Sequence, residues 1–140
     1  MIDIESMVVN SVRNAVKTKY PKCDIVSEYV DTPSQFPCVQ ILEADNYTYR
    51  RTQDNNLREH HANVMYEVNV FSNKTDGKKA EAKAIMDIVD VTLQDLKFTR
   101  TLKQPIPNKD KTIYRIVGRY EAVVGKYQNG KDTIYPMYRK

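Results

Sequence analysis

Ile4, Met7, Val8, Val12, Ala15 and Val16 recur at spacings of three and four, the period that lines one side of an α-helix with apolar side chains. The pattern predicts a helix from about Asp3 to Tyr20, with Asp3 as its N-cap and Pro21 ending it. A short strand is expected over Asp24 to Val30, followed by a loop carrying Pro33 and Pro37, and then a second strand from Cys38 to Tyr49. Val64, Tyr66, Val68 and Val70 alternate with Met65, Glu67, Asn69 and Phe71, which is the period of a strand with one fully apolar face. After the turn 72–77, Ala82, Ile85, Ile88, Val89, Leu93 and Leu96 return to helical spacing up to about Lys97. Phe98 to Gln104 reads as a short strand that Pro105 and Pro107 break. Thr112 to Lys126 reads as a long one, with Tyr114, Ile116, Gly118, Tyr120, Ala122 and Val124 sharing a dry face. Asn129-Gly130 is a hairpin signal, so Thr133 to Tyr135 is expected to fold back.

The resulting order, α-β-β-β-α-β-β, predicts an α+β fold: an antiparallel sheet of about four to five strands with two helices packed on one face. Residues 1–126 form one expected domain, and 127–140 a C-terminal hairpin or arm. The connection from Arg50 to His61 is polar, charged and long for a hairpin, and loops of that length in compact domains are often functional.

Composition changes this picture little. The chain has 140 residues, 41% hydrophobic and 29% charged, with a net charge of +4, values ordinary for a globular domain. Eighteen acidic residues dilute any reading of the positive charge as a nucleic-acid footprint. Asp3, Glu5, Arg13 and Lys17 interrupt the apolar positions of the first thirty residues, so no secretory signal is expected. No apolar run is long enough to span a bilayer, so no membrane contact is expected. Cys23 and Cys38 are expected to be free thiols.

Reactive groups are sparse. The two histidines, His60 and His61, are neighbours, and in an extended segment they would point to opposite sides rather than share a metal. Gly77-Lys78-Lys79 lacks both the first glycine and the hydroxyl residue of a phosphate loop. Glu43, Asp45, Glu67 and Asp87 show no spacing that would pair them for acid–base work. No catalytic, cofactor or metal residues are therefore assigned, and a non-enzymatic protein is expected.

Interaction is better represented than catalysis. Tyr47, Tyr49, Arg50 and Arg51 combine aromatic and cationic groups, as single-strand binders do, although alternate tyrosines more often cover a sheet face. Leu57, Arg58 and His60 in the long connection, and Tyr135, Met137 and Tyr138 in the tail, complete a candidate contact surface, because tyrosine, methionine and arginine are favoured in interface cores. The ordinary alternative, in which several of the ten tyrosines complete the core of a small domain, stands equally.

The stretches Phe36-Pro37-Cys38-Val39, Glu43-Ala44-Asp45-Asn46 and His61 to Lys74 resemble the tail-terminator (tail-completion) proteins of long-tailed phages and of prophages in Gram-positive bacteria. Leu96 to Arg100, Pro107-Asn108, Ile113-Tyr114-Arg115 and Arg119 to Val124 fit the same pattern, so the similarity spans about Ile4 to Val124. It implies a virion structural protein without catalytic residues, forming a homo-oligomeric ring, usually a hexamer. Such a ring caps the finished tail tube, stops its elongation and offers its other face to the head connector, with DNA only passing through the lumen. Neck or head–tail adaptor proteins have a related architecture, and a small nucleic-acid-binding module is the alternative from another class. The segment beyond Gly125 runs longer than the resemblance implies.

Overall fold

A computed structural model describes residues 3–48, 61–107, 110–126 and 132–135. Among these residues two helices, α1 (Glu5–Lys19) and α2 (Lys78–Asp95), accompany six strands: β1 (Asp24–Val26), β2 (Cys38–Thr48), β3 (His61–Ser72), β4 (Thr99–Ile106), β5 (Tyr114–Lys126) and β6 (Asp132–Tyr135). The fold is α+β, in the expected order of elements. Five strands lie in the sequence β1-β2-β3-β5-β4, and β6 also pairs with β5. Because β3 already occupies the other side of β5 at Val123 to Gly125, β6 continues the outer edge beyond β4.

The long central strands β2, β3 and β5 are antiparallel, but β1 pairs with β2 in parallel, Asp24 opposite Cys38 and Val26 opposite Gln40. The sheet is therefore mixed, not purely antiparallel. β1 also stops at Val26 instead of Val30, because the chain there leaves the edge and crosses a face of the sheet, where Gln40 Nε2 donates to the carbonyls of Glu28 and Val30 at 3.3 and 3.2 Å. At the other edge, β4 runs through Pro105 to Ile106 instead of ending before it. Proline is tolerated on an edge strand, where a missing N–H need not break a ladder.

Apolar alternation determines which face the helices cover. Val64, Tyr66, Val68 and Val70 of β3, Ile116, Tyr120, Ala122 and Val124 of β5, and Val39 and Ile41 of β2 form one buried cluster with Val8, Val12 and Val16 of α1 and Ala82, Ile85, Met86, Val89 and Leu93 of α2. Both helices thus lie on one face. Burial holds α1 more than its cap does: the cap position is Ile4 rather than Asp3, and it makes no side-chain cap bond. Asp3 contributes by accepting the Glu5 N–H at 3.0 Å. A cap is worth about 1 kcal/mol, against roughly 1.5 kcal/mol or more for each buried valine. α2 closes in a Schellman motif, with the N–H of Lys97 on Gln94 O and that of Phe98 on Leu93 O, both at 2.9 Å. Lys97 takes the left-handed conformation, φ 76°, a position glycine usually fills.

Candidate interfaces and the polar face of the sheet

The alternate residues of the strands build the face away from the helices. There Cys38 and Phe71 form a small apolar cluster with Ile113, against which Val26 and Phe36 pack. Beside it lies a chain of polar side chains. Asn69 Nδ2 donates to Gln40 Oε1 (3.3 Å) and to Glu67 Oε2 (3.2 Å), while Asn69 Oδ1 accepts from Arg115 Nε at 3.0 Å. Arg119 closes on Glu67 Oε1 through Nε and a terminal guanidinium nitrogen, both at 3.1 Å. The Arg115 guanidinium also stands 5.4 Å from the centre of the Phe71 ring. Asn69 and Gln40 are 0% and 1% exposed, yet each side-chain donor and acceptor named here has a partner. A network in which the buried amides find partners fixes the spacing of the three strands.

A second network ties α2 to the sheet. Asp90 accepts from Tyr120 Oη (2.8 Å), Arg100 (3.0 Å) and Gln94 (2.8 Å). Burial first, and then the Asp90 hydrogen bond, raises the Tyr120 hydroxyl above its ordinary range. Tyr66, which donates to Glu43 at 3.3 Å, is raised in the same way by burial and by Glu43. Cys23 and Cys38 are both free and buried, and burial pushes each thiol up to about 12. They stay protonated and unreactive at neutral pH.

Two of the open hollows among the described residues stand out in volume. A groove of about 550 Å³ runs between the helices, lined by Ala15, Tyr20, Ile88 and Val91 with Lys19 and Asp87. Its hydroxyls, Thr18 and Thr92, bond back to the Asn14 and Ile88 carbonyls of their own helices. The other, of about 390 Å³, lies beside Pro105, Ile113, Tyr114 and Arg115. Among the described residues no three metal-ligating side chains gather, and no helix is long and apolar enough to cross a membrane.

Of the residues singled out by sequence, Tyr47 lies in β2 and Tyr135 in β6. The strand registers place them in one row across the sheet: Tyr47 opposite Asn63, Asn63 opposite Val123, and Val123 opposite Tyr135. At about 4.8 Å per strand that row separates them by roughly 14 Å. Tyr49, Arg50, Arg51, Leu57, Arg58, His60, Met137 and Tyr138 lie outside the described residues. Their attachment points are nevertheless defined, since Thr48 pairs with Ala62 and His61 with Gly125. The connection between β2 and β3 and the one between β5 and β6 therefore leave the same end of the sheet. Sequence reasoning passed over Gln40 and Asn69, whose polarity marks a solvated face, and it could not foresee the crossing segment that covers Gln40. No protein-family model matches the chain, and a search of curated proteins finds no significant match.

Proposed function

We propose that this chain is a structural ring subunit of a phage tail, a tail terminator that caps the tail tube, stops its elongation and joins it to the head connector. The observation that carries the reading is the collection of the candidate contact segments at one end of one sheet. The Tyr47 row, both ends of the connection between β2 and β3, and the last strand before Met137 and Tyr138 all lie there. The stretches that carry the resemblance support it further, because Cys38-Val39 and Glu43 to Asn46, His61 to Ser72, and Tyr114-Arg115 with Arg119 to Val124 lie on three adjacent strands of that sheet.

The mechanism is one of docking. A rigid sheet holds a contact surface at one end, and its opposite end, with residues 73–77 and 110–113, is left for a second partner. Copies joined head to tail by a rotation that closes make a ring with two unlike faces, and the lumen need only avoid repelling DNA phosphate.

Negative-stain microscopy of the purified protein with isolated tail tubes and with connectors is the test. Rings seated on tube ends are expected. Rings on connectors that ignore tubes would move the protein to the neck-adaptor class, and a monomer that binds neither partner at high concentration would overturn the reading.

A further inference from the structure

The two edges of the sheet differ in charge and in direction. β2 pairs with β1 only as far as Gln40, and among the described strands nothing pairs with its outer edge from Ile41 to Thr48. On the far side, β4 is the outermost strand over Thr99 to Ile106 and is largely exposed. Such edges present unused backbone donors and acceptors that another chain can pair with. The β2 edge carries Glu43 and Asp45 and no cation, whereas β4 carries Arg100 and Lys103 and no acid. The registers set Glu43 opposite Tyr66, Arg100 opposite Tyr120 and Lys103 opposite Gly118, so Glu43, Arg100 and Lys103 share the helix-covered face, and Asp45, opposite Met65, stands on the other.

We infer that subunits join by edge pairing, with β4 of one copy added to the acidic outer edge of β2 in the next. The inference rests on the ring reading above and names the surface that closes it. Direction permits the join: β4 runs antiparallel to β5, β5 to β3 and β3 to β2, so β4 and β2 of one copy point opposite ways. Copies set side by side in the same orientation then meet through antiparallel edges, and the ladder continues across the boundary.

Charge rejects the alternatives, since two β2 edges would bring acids together and two β4 edges would bring bases together. Each edge also has a register shift, between Glu43 and Asp45 in β2 and between Arg100 and Leu102 in β4. Bulges of this kind hinder indiscriminate strand addition. Six copies contributing the four strands β2, β3, β5 and β4 each, at about 4.8 Å per strand, would enclose a backbone circle at least about 37 Å across.

The experiment compares the native chain with Glu43→Lys, Lys103→Glu and the double variant, each checked for folding by circular dichroism and urea titration and assayed for assembly by sedimentation and microscopy with tail tubes. Each single reversal is expected to raise the concentration needed for rings at least about tenfold by setting like charges against each other. The double variant restores opposite signs and is expected to assemble as the native chain does. Singles that assemble normally, or a double variant no better than either single, would overturn edge pairing while leaving the tail-terminator reading intact. A native chain that forms no ring with or without tubes would remove both.

Discussion

Asn69 stands at the centre of the polar face, with Gln40, Glu67 and Arg115 on its one amide. Its truncation leaves buried groups without partners, each worth about 1–3 kcal/mol when unsatisfied. Asn69→Ala is expected to lower the free energy of unfolding by about 2–3 kcal/mol in urea titration. A loss no greater than a surface alanine gives would show that the network is not closed in solution. Lys97 argues in the opposite direction. A lysine held at φ 76° carries the steric cost that glycine avoids, so Lys97→Gly is expected to stabilise the protein by about 0.5–1 kcal/mol in the same titration. The buried thiols and phenols supply a pH dependence. Cys23 and Cys38, ordinarily near 9.0 and raised in the fold to about 12, bind their protons more tightly folded than unfolded. Their contribution is complete below pH 9 and is lost as pH rises from about 9 to about 12, and the raised hydroxyls of Tyr66 and Tyr120 add to the same alkaline fall. Urea midpoints should hold steady through neutral pH with respect to these groups and decline above pH 9.

At the scale of elements, α2 is seated over a glycine. A Cβ on Gly118 would come within 3.1 Å of Tyr120 Cε1 and 3.4 Å of Met86 Cε. Tyr120 cannot swing aside without breaking its bond to Asp90. Gly118→Ala is expected to cost about 1–3 kcal/mol through overpacking and to lower the thermal midpoint, a shift that calorimetry would register. The dry faces of β3 and β5 were legible in the sequence because Val64 to Val70 and Tyr114 to Val124 alternate over many residues, and burial on one face enforces their register. The helices were legible for the same reason at a period of 3.6. The parallel pairing of β1 was not, since three residues carry no periodicity and their partner is chosen by a distant crossing. Pro105 misled because proline interrupts a central strand but not an edge. Gln40 and Asn69 misled because alternation distinguishes apolar from polar, and not open from covered. For the candidate contact surface, the sequence supplied residue types that are favoured in interfaces. It could not show that Tyr47 and Tyr135, far apart in the chain, share one row of the sheet.

For the whole molecule, the quantity that decides the proposed ring is how strongly one copy would hold the next. In the proposed ring, edge charges such as Glu43 and Lys103 attract through water, and salt screens them over a Debye length of about 10 Å at 0.1 M. Ring formation should therefore weaken as sodium chloride rises, while the monomer's urea midpoint changes little; sedimentation and denaturation on the same samples separate the two. The outer rim of the sheet is made of two pieces laid end to end. β4 reaches back along β5 to Glu121, and β6 takes over from Val123. Because the seam falls between them, the last strand can be removed without pulling on the ladder that seats α2. A chain ending at Lys126 should fold with its helices in place, yet with a fresh sticky margin at Val123 to Lys126, and its characteristic failure would be precipitation rather than unfolding.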